Sequence, residues 1–166
     1  MTAVVVGNPK PASRTLAAAT RLHEALIGTA PDVVVDVVDL GTGLLGWGDD
    51  AVASAVSAVA QSELVVVASP TFKASYSGLL KLFLDQFSAG EGLRNVVAVP
   101  LMLGAGPEHA LCPELLLKPV LVELGATAPA PGLYLRDKTF TEDGAIEAYA
   151  ARWGTAIRSS RARSLT

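Results

Sequence analysis

Polar and cationic side chains are concentrated in the segment GNPKPASRT, from Gly7 to Thr15, which follows the apolar run AVVV. Asn8 can donate hydrogen bonds from a turn, and Ser13 and Thr15 carry hydroxyls on either side of the Arg14 guanidinium. Ser13 also stands where a helix cap belongs, so the free N–H groups at a helix start would face the same point. The segment therefore predicts a site for an anion such as phosphate, and a plain strand-to-helix turn capped by Ser13 is the alternative.

The glycine patterns of the common nucleotide-binding loops are missing from this segment. A dinucleotide-binding loop has GxGxxG and a P-loop has GxxxxGK, whereas here Pro9 and Pro11 stiffen a loop that is rich in hydroxyls. Hydroxyl donors suit a terminal phosphate monoester, because its three oxygens all need partners. Lys10 is either a second cation that contacts the ligand or a solvated charge of the loop, and the sequence does not decide between these roles.

Two further segments combine turn residues with candidate ligand contacts. In SPTFKASYSG, Pro70 ends an apolar run, Thr71 and Phe72 follow it, and Gly78 would permit a close approach of backbone. In LGAGPEHA, two glycines would let backbone N–H groups reach a ligand. His109, at the end of that segment, either contacts the ligand or binds polar groups near the following helix end.

No side-chain set for acid–base or nucleophilic catalysis is apparent. The histidines His23 and His109 and the single cysteine, Cys112, are spread along the chain, which disfavours a structural zinc site. His23 shares the apolar face of a predicted helix, so we expect it in the core. Cys112 has no second cysteine to pair with and is expected to be a buried structural thiol. We therefore expect neither a catalytic side-chain set nor a metal site.

These loops must be held by the elements between them. Five apolar runs bounded by Gly, Pro, Asp or Asn predict buried strands at residues 3–6, 33–38, 64–68, 95–101 and 126–135. Amphipathic or alanine-rich segments predict helices at residues 13–27, 51–61, 77–87, 108–124 and 142–158. Pro113 and Pro119 should kink or split the fourth helix, and Pro129 and Pro131 restrict the fifth strand to an edge.

The alternation of strand and helix predicts an α/β fold with a five-stranded parallel sheet of order 2-1-3-4-5 and helices on both faces. In such a sheet, ligands bind at the carboxyl ends of the strands, where the chain switches direction between strands 1 and 3. The three loops described above follow strands 1, 3 and 4. We therefore expect them to meet at one site.

The composition is that of one folded domain: 166 residues, of which 51% are hydrophobic and 17% charged, which excludes a disordered chain. A net charge of −3, with no Lys/Arg cluster before the last few residues, disfavours nucleic-acid binding. Apolar runs are shorter than the ~20 residues that span a bilayer, and no signal-peptide pattern opens the chain. We expect a cytoplasmic protein without membrane contact, with a domain over residues 1–158 and a flexible tail over residues 159–166.

Two motifs resemble those of a known family. The pattern P-x-[YF]-x4-SG-x-LK-x3-D, from Pro70 to Asp85, is similar to that of the NADPH-dependent FMN reductases, and G-x-P-x3-SRT resembles their phosphate loop. K-A-x-[YF]-SG, at residues 73–78, and L-K-P-V-L, at residues 117–121, resemble the small reductases that supply reduced flavin to sulfonate monooxygenases. The resemblance covers nearly the whole chain and implies a flavodoxin-like three-layer sandwich.

The resemblance implies flavin mononucleotide (FMN) as the ligand, with hydride transfer from NADPH or NADH to flavin N5. It also implies a homodimer or homotetramer and a flavin-dependent monooxygenase as partner. Phe72 stands where the family often has Tyr, so any hydrogen bond from that hydroxyl is absent. The implied cofactor-binding residues lie in the three loops and are Asn8, Pro9, Ser13, Arg14, Thr15, Pro70, Thr71, Phe72, Lys73, Ser77, Gly104, Ala105, Gly106 and His109.

Other interpretations stay open. The chain could retain FMN and reduce a quinone, an azo compound or a metal oxyanion. It could instead be a non-catalytic flavodoxin-like electron carrier, although such carriers tend to be more acidic than −3. An interaction domain without cofactor is disfavoured by the intact loops. FMN could be an exchangeable substrate or a tightly bound prosthetic group, and the sequence favours neither. Lys73 could contact the ligand or be a solvated charge, and these two are equally open.

Overall fold

The computed structural model shows a parallel sheet with helices on both faces; it describes the backbone of residues 1–163 and the side chains of residues 1–161. The strand order β2-β1-β3-β4-β5 confirms the predicted order. The strands are β1 Thr2–Val6, β2 Val33–Asp36, β3 Leu64–Pro70, β4 Val97–Gly104 and β5 Leu133–Arg136. The α-helices are α1 Arg14–Ile27, α2 Asp50–Ala60, α3 Gly78–Leu84, α4 Lys118–Glu123 and α5 Ala145–Arg163.

The three central strands, β1, β3 and β4, are buried along their whole length. Their valine-rich sequences fit this position, because a parallel strand covered by helices on both faces has no solvent-facing side. Val6 lies opposite Ala68, Ala68 lies opposite Leu101, and Pro70 lies opposite Leu103. This register brings the loops that follow the three strands to the same edge of the sheet.

Two apolar clusters pack against opposite faces of the sheet. Val4 and Val6 of β1 point to the cluster that contains α1 and α5, and the alternate residues Ala3 and Val5 point to the other. The second cluster contains side chains of α2, α3 and α4, among them Phe83. These layers form the three-layer sandwich that the sequence predicted.

The segment after β4 is less regular than one continuous helix. A 3₁₀ turn covers Pro107–His109, a π-helical turn covers Pro113–Leu117, and α4 follows directly. Pro113 and Pro119 have no backbone N–H, so neither can make the hydrogen bond that continues an α-helix. The predicted helix over residues 108–124 is therefore divided before Pro113, whereas Pro119 lies inside the uninterrupted run from the π-helical turn into α4.

The two edge strands are shorter than predicted. β2 stops at Asp36, and the chain continues as the 3₁₀ segment Val37–Leu45 instead of staying extended to residue 38. β5 begins only at Leu133, after Pro129 and Pro131, because a proline cannot donate to the strand ladder. Both edges are therefore set by local breaks in the sequence.

The last helix is longer than predicted. α5 passes residue 158, where the sequence placed the end of the domain, and continues to Arg163. Arg161 Nη2 lies 2.8 Å from Glu63 Oε2, an ion pair that ties the end of the helix to the start of β3. The remainder of the tail predicted over residues 159–166 lies outside the described residues. In the described part of the chain, no helix combines the length and the apolar character needed to cross a bilayer.

Candidate functional site

A cavity of about 270 Å³ opens at the carboxyl ends of the strands. It lies where the chain switches direction between β1 and β3, as expected for this topology. Four loops contribute to it, those after β1, β3, β4 and β5. The residues that line it are Asn8, Lys10, Ser13, Arg14, Thr15, Pro70, Thr71, Phe72, Leu103, Gly104, Ala105 and Asp137.

The loop after β1 is held by its own polar side chains. Ser13 caps α1, since its Oγ accepts a hydrogen bond of 3.2 Å from the Leu16 N–H. Asn8 Nδ2 donates to Thr15 Oγ1 at 2.9 Å, and Asn8 Oδ1 accepts from the Lys10 N–H at 2.9 Å. The Ser13 and Thr15 hydroxyl oxygens are the acceptors in their bonds with Leu16 and Asn8, so both residues keep a hydroxyl hydrogen to donate to a ligand.

The middle of this loop is strained and is supported from β2. Ala12 has φ of 49°, in the left-handed region that costs a non-glycine residue about 1 kcal/mol or more. Its N–H donates to Asp36 Oδ2 at 3.2 Å, at the end of β2. Burial raises the pKa of the Asp36 carboxyl above its ordinary value. The bend that turns the loop back toward α1 is thus fixed by a partly buried carboxyl group.

Arg14 is occupied by a partner from the far side of the cavity. Its Nη2 lies 3.1 Å from Asp137 Oδ2, and its Nη1 donates to the Asp137 carbonyl at 3.2 Å. Lys10, in contrast, makes no ion pair with any residue that the structure describes. The cavity wall therefore carries two cations and one carboxylate.

Gly7 and Ser77 join the loop after β1 to the loop after β3. Ser77 Oγ donates to the Gly7 carbonyl at 2.5 Å and accepts from the Leu80 N–H at 3.0 Å, which caps α3. The Ser77 N–H donates to Ser69 Oγ at 2.9 Å. A Cβ added to Gly7 would overlap the Leu80 side chain and backbone, so only glycine fits here. Ser77 is buried and does not line the cavity; it holds the wall in place.

The loop after β3 reverses direction within two residues. The N–H and carbonyl of Phe72 exchange hydrogen bonds with those of Ser75, at 2.8 and 3.1 Å. The two residues between them, Lys73 and Ala74, have φ of 50° and 61°. This tight turn presents the Phe72 side chain at the cavity, where 49% of it is exposed.

The loop after β4 contributes backbone to the cavity. Gly104 and Ala105 line it, and the Thr71 N–H donates to the Leu103 carbonyl at 2.6 Å, which joins this loop to the one after β3. The Tyr134 hydroxyl donates to the Gly106 carbonyl at 2.6 Å and occupies the space where a Cβ on Gly104 would stand. A side chain at residue 104 would thus displace Tyr134.

Most of the predicted site residues are brought together, and some are not. Those in the cavity wall are Asn8, Ser13, Arg14, Thr15, Pro70, Thr71, Phe72, Gly104 and Ala105. Those outside the wall are Pro9, Lys73, Ser77, Gly106 and His109. His109 ends the 3₁₀ turn that follows the wall, and Lys73 lies in the turn behind Phe72.

Sequence reasoning missed Asp137 and Leu103 and left Lys10 open. Asp137 directly follows β5, so the rule that pointed to the other loops could have found it. The apolar run at residues 126–135 predicts a strand that starts before Leu133 and ends before Arg136, so it does not point to Asp137. The missed carboxylate changes the electrostatics of the site, because it neutralises one of the two cations in the wall.

Comparisons with known proteins agree with this architecture. The model of a family described as NADPH-dependent FMN reductase matches residues 1–141. A Pseudomonas putida protein named NADH-dependent FMN reductase SfnF is 30% identical over 152 residues, which cover 87% of this chain and 81% of that protein. An Escherichia coli protein named FMN reductase (NADPH) is 38% identical over 77 residues, but the match covers only 46% of this chain and 40% of that protein.

Solved structures show the same fold. The apo form of an NADH:FMN oxidoreductase, EMOB, superposes with a TM-score of 0.82 at 28% identity, over 98% of this chain and 88% of that one. An archaeal flavodoxin superposes with a TM-score of 0.60 at 15% identity, over 98% and 99% of the two chains, which shows likeness of fold alone. With its flavodoxin-like sheet and a family match over residues 1–141, the chain belongs to the NADPH-dependent FMN reductase family.

Proposed function

We propose that the chain is an NAD(P)H-dependent FMN reductase. The observation that carries the proposal is one cavity in which a loop with cations and hydroxyls faces an aromatic side chain and open backbone from two other strands. FMN has the same division, with a phosphate at one end and a flat aromatic ring at the other. When bound, FMN supplies the redox chemistry by accepting hydride from the nicotinamide. The relatives named as FMN reductases support this function.

The polar end of the cavity suits a phosphate monoester. Ser13 and Thr15 each have a hydroxyl hydrogen to donate, and Lys10 carries a charge without an ion-pair partner among the described residues. The N–H groups at the start of α1 add a partial positive charge at the same end. We assign phosphate binding to Asn8, Ser13, Arg14 and Thr15, with Pro9 shaping the turn.

The other end suits the polar edge and the face of a flavin ring. Thr71 Oγ1 is buried and has no hydrogen-bond partner in the described part of the chain. An unpaired buried hydroxyl costs about 1–3 kcal/mol, so a polar ligand atom here would be stabilised. The half-exposed Phe72 offers a ring face, and Pro70 and Gly104 also line the cavity. The residues present therefore fit FMN.

Besides Pro9, four assigned residues lie outside the wall. Ser77 holds the Gly7 carbonyl, and Gly106 is held by Tyr134, so both position the loops that contact the ligand. We retain Lys73 and His109 as residues that approach the nicotinamide or the exposed part of the flavin, because each lies beside a wall segment. One relative is named for NADPH and another for NADH. The assay should therefore be run with each nicotinamide.

We also propose that the chain is a cytoplasmic homodimer or homotetramer that supplies reduced FMN to a monooxygenase. Apolar side chains remain exposed along the segment from the π-helical turn into α4, namely Leu111, Leu115, Leu116 and Val122. Exposed apolar side chains that follow one another along a segment are consistent with an interface between subunits. Light scattering of the purified protein measures its mass, and a monomer of 17.1 kDa would contradict the assembly.

The function is tested with purified protein, FMN and each nicotinamide. We expect the nicotinamide absorbance to fall in the presence of FMN, and the rate to rise with FMN concentration if FMN exchanges as a substrate. Addition of a quinone distinguishes a quinone reductase that retains FMN from an FMN reductase that releases it. A quinone reductase would oxidise the nicotinamide with quinone as acceptor when only catalytic amounts of FMN are present.

Two outcomes of this assay would contradict the proposed reductase activity. FMN binding without oxidation of either nicotinamide would identify an electron carrier in place of a reductase. A protein that binds no FMN, measured by quenching of flavin fluorescence, would leave only a domain without cofactor. Dependence on an added monooxygenase for full turnover would support the proposed partner.

A further inference from the structure

The ion pair between Arg14 and Asp137 joins two segments of the cavity wall. Arg14 begins α1, and Asp137 follows β5, so the contact joins two loops that are 123 residues apart in the chain. The guanidinium uses one nitrogen for the Asp137 carboxylate and another for the Asp137 carbonyl. Both residues line the cavity. The cation expected to bind the ligand is therefore already bound within the protein.

A phosphate in this cavity must compete for Arg14. The guanidinium is 63% exposed and bridges to Asp137 without other hydrogen bonds among those found in the described chain. A phosphate that recruits Arg14 breaks or shares this contact, and it also meets the negative charge of Asp137. Both effects lower the affinity of the anion relative to a wall in which Arg14 is free.

Asp137 has no second role that would explain a carboxylate at this position. Its Oδ2 holds Arg14, whereas Oδ1 is buried without a hydrogen-bond partner among the described residues. A buried unpaired carboxylate oxygen is unfavourable, and a neutral amide or hydroxyl at residue 137 would cost less, because burying a charged group without a partner costs more than burying a neutral one. The acid therefore lowers both the local stability and the anion affinity.

We propose that Asp137 is a specificity-determining and positioning residue that competes with the phosphate of FMN for Arg14, so that the flavin dissociates readily. The inference rests on the proposed function, because it assigns FMN to this cavity. The Asp137 carboxylate and the FMN phosphate compete for the same Arg14 guanidinium. When the phosphate leaves, the ion pair with Asp137 forms again. FMN then behaves as an exchangeable substrate in place of a retained prosthetic group.

The test compares FMN with riboflavin, which lacks the phosphate. In Asp137→Asn we expect FMN to bind about three- to tenfold more tightly and to dissociate correspondingly more slowly. The substitution removes a negative charge and the ion pair with Arg14, and it leaves the guanidinium only neutral acceptors such as the carbonyl of residue 137. Riboflavin affinity should stay within twofold. Flavin fluorescence gives the affinities, and stopped-flow displacement gives the dissociation rates. Asp137→Ser carries the same expectation if the asparagine variant does not fold.

Glu147→Gln is the matched control. Arg21, also on α1, pairs with Glu147 and donates to the Thr141 carbonyl, which repeats the pattern of the Arg14 pair away from the cavity. Glu147→Gln changes the net charge by the same amount as Asp137→Asn, and we expect no change in FMN affinity. In an Arg14→Ala background the effect of Asp137→Asn should fall below twofold, because Asp137 acts through Arg14.

Several results would overturn the inference while leaving the reductase function intact. They are weaker FMN binding in Asp137→Asn, equal tightening of FMN and riboflavin, or an undiminished effect in the Arg14→Ala background. Failure of the unaltered protein to bind FMN or to oxidise a nicotinamide is a different result, because it contradicts the proposed function itself.

Discussion

Lys10 and Arg14 lie on the same loop, but their charges are not equally available to a ligand. Arg14 shares its charge with Asp137, whereas Lys10 has no ion-pair partner among the residues that the structure describes. A cation without a partner gives its full attraction to an incoming phosphate. At the scale of single residues, we therefore expect Lys10, which the sequence left undecided, to bind the anion together with Arg14.

Replacement of Lys10 by glutamine should weaken FMN binding about three- to tenfold and leave riboflavin binding unchanged. The difference should shrink as salt is added, because screening weakens the attraction between exposed charges. Titration of flavin fluorescence at two ionic strengths measures it. Lys138→Gln, an exposed lysine outside the cavity wall, is the control. Equal loss for both flavins would place the phosphate away from Lys10.

The elements meet most closely where the first loop passes α3. Gly7 donates its N–H to the Ala68 carbonyl and accepts from Ser77 Oγ, and its Cα faces Leu80 without room for a side chain. The sequence suggested a close approach at Gly78 instead. A Cβ at Gly78 would meet no atom of the described chain within 4 Å. The requirement for glycine therefore belongs to the strand end and not to the helix start.

Gly7→Ala should destabilise the protein by about 2–4 kcal/mol, because the added methyl group must displace α3 or the first loop. Urea denaturation followed by circular dichroism measures the free energy of unfolding. Gly78→Ala is the matched control and should change it by less than about 1 kcal/mol. A Gly7→Ala variant as stable as the unaltered protein would show that the two elements can separate freely.

The sequence was informative where one physical effect dominates. Buried strands need long apolar runs, so β1, β3 and β4 were visible, and their order followed from the connection rules for parallel sheets. β5 was placed too early, since its short run gives little signal beside Pro129 and Pro131. The Arg14–Asp137 contact was not predictable, because it depends on side chains that only the folded chain brings together.

At the scale of the whole molecule, one buried histidine links stability to pH. His23 of α1 is fully buried, as its position on the apolar face predicted, and both ring nitrogens lack hydrogen-bond partners in the described chain. Burial lowers the pKa of His23 below its ordinary value, although the nearby Thr29 backbone and the charge of Asp32 partly oppose the shift. Protonation of this ring is therefore more favourable in the unfolded chain than in the folded one.

Stability should fall as the pH drops from about 7.5 through 6.5, because the unfolded chain then takes up a proton that folded His23 resists. The slope is at most about 1.4 kcal/mol per pH unit for one proton. His23→Leu should flatten the dependence between pH 7.5 and 5. Urea denaturation at several pH values checks this. The lowered carboxyl pKa values of Asp32 and Glu63 act at lower pH, so an unchanged slope in His23→Leu would exclude His23 as the cause.

The reversal at Lys73 and Ala74 limits how this protein can vary. Both residues have a positive φ, which β-branched side chains adopt only with strain. In a library randomised at these two positions, folded members should be enriched in Gly, Asn and Asp and depleted in Val, Ile and Thr. The backbone would thus select the sequence of this turn before any ligand does, and an engineered change of substrate is better sought at Phe72 beside it.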